Sequence, residues 1–213
     1  MSVSECSSAR PDNRRRPSAA ALAGRAGVVE AAAAPVRARA AVDVAAASEV
    51  ASWHPVYVGL GSNLDDPARQ VGRALQALSQ LPQSRLERTS SLYASAPMGP
   101  VSQPDFVNAV AGLLTRLPVQ AFFQALRQLE RDLGREPPRV RWGPRRIDLD
   151  LLVFGEERLA SESLTLPHPG IVVRNFVLYP LAEVAPELSI VGFGRVAQLA
   201  ERVGASGLRR LDT

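Results

Sequence analysis

Between Val56 and Phe154 the apolar residues switch back and forth between strand-like alternation and helical spacing, and the order of those switches leaves few folds open. The run VYVGLG (56–61) is rich in β-forming residues and ends on glycine, which marks a first strand. In SNLDDPARQVGRALQALSQL (62–81), Val71, Leu75, Leu78 and Leu81 fall on one helical stripe, with Asn63 or Asp65 as candidate caps and Pro67 near the first turn. RLERTSSLYAS (85–95) reads as a second strand and FVNAVAGLLT (106–115) as a third. LPVQAFFQALRQLERDLGR (117–135) is the strongest helical segment, apolar at Val119, Phe122, Phe123, Leu126, Leu129 and Leu133, with Gly134 as its stop. RRIDLDLLVFG (145–155) is a fourth strand. The order β-α-β-β-α-β predicts an α+β fold with a ferredoxin-like core and an antiparallel sheet. A C-terminal hairpin is expected near Glu157–Thr165, with helices near Asn175–Val184 and Val196–Arg202.

Residues 1–53 carry none of this pattern. Ser, Ala, Arg and Pro dominate, and no aromatic precedes Trp53. Such a stretch buries too little apolar surface to offset the entropy of ordering it, so a disordered tail is expected before a folded domain over 54–213. An upstream start outside the working gene gives the same picture. An Arg- and Ser-rich transit peptide is the other reading, and Glu5, Asp12, Glu30, Asp43 and Glu49 count against it.

The pI of about 10.1 first suggests a polyanion partner. All 25 basic residues are arginine, however, and the formal net charge is only +4, so the pI reflects the high pKa of arginine rather than a dense positive face. A phosphate-bearing small molecule suits that surplus at least as well as a nucleic acid. Cys6 is the single cysteine, which excludes an intramolecular disulfide and a cysteine zinc site and fits a reducing cytosol. No apolar run approaches a membrane span.

The chemistry concentrates around IDLDLLVF. Side chains alternate along a strand, so Asp148 and Asp150 share a face and stand roughly 7 Å apart, while Ile147, Leu149 and Leu151 face the core. The pair is either the solvated side of a half-buried strand or a grip for a hard cation such as magnesium, which takes one or two carboxylates and completes its shell with phosphate oxygens. Just upstream, Arg135, Arg139, Arg141, Arg145 and Arg146 lie on a loop broken by Pro137, Pro138, Gly143 and Pro144. A solvated basic loop is one reading. Guanidinium forks gripping a polyphosphate opposite the carboxylates is the other, and the direct run into Asp-x-Asp favours it.

Other nucleotide-binding routes are closed. A Walker A loop needs a lysine, and the chain has none; no G-x-G-x-x-G opens a helix. GLGSN (59–63) serves either as a tight strand-to-helix turn or as a place where backbone approaches a ligand. Phe106 and Asn108 share a strand face, either as core aromatic and turn amide or as a platform for a fused heterocycle. His168, fixed between Pro167 and Pro169, and Arg174 are candidate phosphate contacts.

Taken in order, GLGSNL, SSLYASAPMGPVSQPDFVNAV, LERDLGR, RWGPRRIDLDLLVFG, LTLPHP and RNFVLYPLAEVAPEL resemble the 6-hydroxymethyl-7,8-dihydropterin pyrophosphokinase family over roughly Val56–Leu188. The resemblance implies transfer of the β,γ-pyrophosphate of ATP to the pterin hydroxymethyl group, releasing AMP, by a cytoplasmic monomer of folate biosynthesis. It implies two magnesium ions at Asp148 and Asp150, phosphate handling by Arg135 and Arg145, and Glu130, Thr165, His168 and Arg174 on the ATP side. The pterin is then expected between Phe106 and Phe176, with Asn108 and the stretch carrying Ser95, Pro97 and Met98 as hydrogen-bonding partners, and with Trp142 closing over it. The chain departs from the family pattern in Pro137 and Pro138 on that loop, in Phe106 where many members have tyrosine, and in the segment before Val56. The competing class is a ferredoxin-like RNA-binding module, which calls for exposed aromatics on the central strands and dispersed basic residues.

Overall fold

The computed structural model describes residues 52–100, 102–136 and 143–212. Of the expected tail over 1–53, all but Ser52 and Trp53 lies outside the described residues, as does Trp142. The Trp53 ring lies against the guanidinium groups of Arg85 and Arg116, 5.0 and 4.6 Å from its centroid, which fixes where β1 begins.

Strand β1 (His54–Ser62) places Val56, Val58 and Leu60 on one face and Tyr57, Gly59 and Gly61 on the other. The turn into helix α1 (Pro67–Ser79) is made by Asp65 and Asp66, both left-handed with φ 52° and 61°. The cap is neither Asn63 nor Asp65: Asp66 stands immediately before Pro67 and its carboxylate accepts from the Arg69 N–H at 3.4 Å. Gly59 and Gly61 lie inside the strand, so of the two roles open to GLGSN the turn is taken by the aspartates.

The expected second strand is two. β2 (Ser84–Thr89) and β3 (Tyr93–Ser95) both pair with β4 (Phe106–Thr115), and the chain breaks between them at Ser90. The Ser90 hydroxyl accepts from the Val110 N–H and donates to the Ser91 carbonyl, taking ladder positions a continuous strand would need. Helix α2 (Val119–Asp132) ends at Leu133 with Gly134 left-handed, and β5 (Asp148–Phe154) follows. The sheet runs β5-β1-β4 and then β2 and β3, all antiparallel, which is the ferredoxin-like order.

Helices α1 and α2 cover one face of this sheet through Val71, Leu78, Phe122 and Leu126, packed on Val58, Leu60, Leu149 and Leu151. Burying such a side chain stabilises the fold by about 1.5–3 kcal/mol each. Next come β6 (Leu159–Ala160) and β7 (Thr165–Leu166), the expected hairpin, then a 3-10 turn at Ile171–Val173. Helix α3 (Asn175–Val184), the hairpin of β8 (Ser189–Ile190) and β9 (Gly194–Arg195), and helix α4 (Val196–Val203) follow. α3 and α4 pack on the second face, around Val110, Leu152, Val153 and Leu181. A bulge in β5 opposite Tyr57 and Val58 puts Leu152 and Val153 on that face together, while Leu151 and Phe154 stay in the first cluster. Finally β10 (Leu208–Arg210) joins the sheet edge beside β3.

Candidate active site

The cover over the second face stops short of the end where β1 leaves the sheet, and a cleft opens there. Its floor is main chain. Gly61 pairs with Asn108 on one side and Asp148 on the other, and Gly59 pairs with Asp150. Residues directly opposite in an antiparallel ladder share a face, so Asn108, Gly61 and Asp148 form one row across the sheet, with Asp150 beside Gly59 two residues along β5 on the same face. A Cβ at Gly61 would lie 3.4 Å from Asn108 Oδ1 and 3.9 Å from Phe106 Cδ1.

On one side of this floor are the apolar and amide groups. Ser95, Met98, Phe106, Asn108 and Phe176 line the cleft; Pro97 lies beside that lining. Asn108 is buried, and its Nδ2 donates to Ser95 Oγ at 2.9 Å and the Tyr93 carbonyl at 3.4 Å, which fixes the amide with Oδ1 toward Gly61. The strand under it is clipped to α3: the Glu183 carboxylate accepts from the Ser91 N–H, the Ser91 hydroxyl and the Tyr93 hydroxyl at 3.1, 2.8 and 2.9 Å.

On the other side are charges. Arg145 pairs with Asp148 Oδ2 at 2.5 Å, and Arg135 pairs with Asp148 Oδ1 at 2.6 Å and with Glu130. Burial alone would raise the Asp148 carboxyl, but Arg145 and Arg135 outweigh it and hold it below the usual aspartate range. Among the described residues Asp150 has no such partner; Arg127 and His168 stand 4.0 Å away. Burial first, and then the charge on Asp148, push its carboxyl up against the pull of His168 and Arg127.

His168 hangs on the backbone of β5, its N–H donating to the Leu152 carbonyl at 2.9 Å. Its Nδ1 accepts from the Gly170 N–H at 3.0 Å, so the neutral ring carries its proton on Nε2, toward Asp150. Burial pushes the imidazole down from its ordinary value, with Asp150 pulling the other way. Arg174 lines the cleft, its guanidinium 6.0 Å from the Phe176 ring centroid and close over Gly170, where a Cβ would lie 2.7 Å from Cζ. Glycine is the residue that admits it.

The remaining residues of the expected ATP side stand apart from the lining. Thr165 is exposed on β7. Glu130 is 2% exposed on the apolar face of α2, beneath β5, where its carboxylate accepts from the Leu149 N–H at 2.8 Å and pairs with Arg127 at 2.7 Å. Arg127 was not among the residues singled out from sequence; three residues before Glu130 on one helix, its spacing alone was the signal. What the site offers is a carboxylate pair, one member pinned by arginines and the other, among the described residues, no nearer than 4.0 Å to a cation, with Arg145, Arg135 and Arg174 around it and a recess lined by Met98, Phe106 and Phe176 adjoining. Hard-cation and phosphate chemistry beside a planar ligand fits that donor set.

Comparison with known proteins bears on which ligand. Residues 57–186 match the family model described as 7,8-dihydro-6-hydroxymethylpterin-pyrophosphokinase (HPPK). The chain is 45% identical over 156 residues to the 2-amino-4-hydroxy-6-hydroxymethyldihydropteridine pyrophosphokinase of Pseudomonas aeruginosa, covering 73% of this chain and 96% of the relative. The enzyme of the same description from Haemophilus influenzae is 42% identical over 156 residues, covering 73% and 97%. Among solved structures, Plasmodium falciparum HPPK-DHPS wild type with pteroate aligns with a TM-score of 0.61 at 12% identity, over 76% of this chain and 48% of that one, a likeness of fold.

Proposed function

The chain belongs to the 7,8-dihydro-6-hydroxymethylpterin-pyrophosphokinase family, and from that premise we propose how its residues divide the work. It is a transferase, a pterin pyrophosphokinase of folate biosynthesis, and the RNA-binding alternative has no support. The observation that carries the division is the glycine floor: Gly61 alone stands between the Asn108 amide and Asp148, and Asp150 lies beside Gly59 on the same face.

The pterin occupies the slot between Phe106 and Phe176, with the Asn108 amide and the backbone around Ser95, Pro97 and Met98 reading its ring nitrogens and carbonyl. Trp142 closes over it. The triphosphate lies on the charged side. There Arg145 and Arg135 turn from Asp148 to phosphate oxygens, Arg174 and the Nε2–H of His168 add contacts, and Glu130 and Thr165 flank the nucleotide. Two oxygen donors on one strand face, pointing where phosphate oxygens would complete the shell, suit magnesium, and Asp148 and Asp150 would hold two such ions. When bound, magnesium neutralises charge on the phosphates. The pterin hydroxymethyl oxygen attacks the β-phosphorus, the bond from that phosphorus to the α,β-bridging oxygen breaks, AMP leaves, and the hydroxyl proton passes to solvent. The apolar slot and the closing loop keep water from taking the place of the pterin hydroxyl.

The catalytic unit is 54–213, acting as a monomer in a reducing cytosol, with ATP and 6-hydroxymethyl-7,8-dihydropterin as partners and neither nucleic acid nor membrane. A formal charge of only +4 supports this, as does the absence, among the described residues, of any helix long and apolar enough to cross a membrane.

The test is AMP formation from ATP and magnesium with and without hydroxymethyl-dihydropterin. AMP should appear only with pterin, one per pterin diphosphate; AMP without pterin, or none from folded protein, overturns the reading. A second measurement probes the floor. Gly61→Ala should fold, because its methyl meets Asn108 and Phe106 at ordinary contact distances. By filling the floor it should raise the pterin KM by about tenfold, the effect of a lost close contact of about 1.4 kcal/mol. A pterin KM unchanged in Gly61→Ala would remove the pterin from this slot.

A further inference from the structure

Asn63 does not line the cleft, yet it touches both sides of it. It follows β1 directly, is 2% exposed, and uses both side-chain polar atoms and its own N–H on two segments distant in sequence. Its Nδ2 donates to Gln103 Oε1 at 3.0 Å and to the Pro104 carbonyl at 3.2 Å. Its Oδ1 accepts from the Arg145 N–H at 2.8 Å, and its own N–H donates to the Arg145 carbonyl at 3.1 Å. Gln103 and Arg145 both line the cleft, the first on the side of Met98 and Phe106, the second beside Asp148.

We propose that Asn63 is the positioning residue that sets the two halves of the active site against each other, its amide nitrogen holding the pterin-side loop at 103–104 and its amide oxygen holding the phosphate-side arginine segment at Arg145. This rests on the division of the cleft given above. The residue type follows from the chemistry: a carboxamide alone among short side chains offers two donors and one acceptor on a planar group. An aspartate there would keep the oxygen that meets Arg145 N–H and turn a second oxygen on the Pro104 carbonyl. The Pro104 carbonyl cannot turn to meet that oxygen. Serine would not reach both segments, and leucine would take this partner away from Gln103 Oε1, the Pro104 carbonyl and the Arg145 N–H at once.

Two substitutions in the full chain separate the halves, read by melting temperature, by steady-state KM for pterin, and by equilibrium binding of magnesium–ATP without pterin. Asn63→Asp should raise the pterin KM about tenfold and leave ATP binding within about twofold, because one hydrogen-bonded contact is reversed and the other kept. Asn63→Leu should weaken both by about tenfold. If Asn63→Leu does not fold, Gln103→Ala takes its place and should raise the pterin KM while sparing ATP binding. Asn63→Asp with wild-type melting and both constants unchanged, or both moved by one factor, overturns the proposal. Wild-type chain run alongside must form AMP only with pterin. Loss of that dependence strikes the reading of the cleft, whereas an active wild type beside an indifferent Asn63→Asp strikes only the role of Asn63.

Discussion

Asp150→Asn should lower pterin-dependent AMP formation by about three orders of magnitude or more, the scale of losing charge stabilisation at a transferring phosphoryl group, while the melting temperature stays level or rises. Among the described residues Asp150 has no ion pair closer than 4.0 Å, and its carboxyl is pushed up by burial and by Asp148. A carboxyl whose folded-state pKa is raised binds its proton more tightly when folded, so its ionisation costs stability as pH rises through the interval between the unfolded and folded values. Asparagine removes that cost at neutral pH. Asp148→Asn should be as inactive, but its melting temperature should fall. Its folded-state pKa is lowered, so its contribution is present above the unfolded value and lost as pH falls through the folded one. Arg135 and Arg145 would lose a shared partner. Equal loss of turnover with opposite shifts in melting is the expected signature. An Asp150→Asn variant that keeps turnover within tenfold, or melts as low as Asp148→Asn, would show the pair to be ordinary surface carboxylates.

Glu130→Leu should cost about 3 kcal/mol, which in a domain of this size lowers the melting temperature by roughly 6–12 °C. The ion pairs with Arg127 and Arg135 are partly open to water, with side chains 30% and 21% exposed, so their share is screened. The larger share belongs to the Leu149 N–H, a buried donor whose acceptor at 2.8 Å is Glu130 itself. Glu130→Gln keeps that acceptor and should recover more than half of the lost stability. Turnover should stay low in both, because Arg135 no longer has a carboxylate to hold it beside Asp148. If leucine and glutamine melt alike, the Leu149 N–H is not what the carboxylate serves.

How much of this was legible in the sequence depends on whether a feature repeats. β4 begins and ends where FVNAVAGLLT does, and α2 stops at Gly134, because period and punctuation are written locally. The common face of Asp148 and Asp150 follows from strand alternation, as does the burial of Leu149 and Leu151 on the opposite face. Glu130 breaks the apolar stripe of α2 and shows nothing of why: its partner is a backbone N–H on β5, and a single contact across space has no period. Asn63 was open to reading only as a cap, since each of its partners lies far along the chain. The break at Ser90 depends on one hydroxyl meeting Val110, and β8, β9 and β10 are too short to carry an alternation. Family resemblance supplied candidates for the ligand sites, but not which of them stand behind the others.

The floor at Gly59 and Gly61 bears on how this enzyme would answer an inhibitor. A flat compound pressed on those two residues rests on main chain, which point mutation changes only by adding atoms. With the pterin seated there as proposed, any such addition fills the space the substrate needs. Resistance arising at the floor would therefore carry its own penalty in folate synthesis, and selection would have to find its escape at the rim, among residues such as Met98, where a side chain stands 44% exposed and can change without touching the floor.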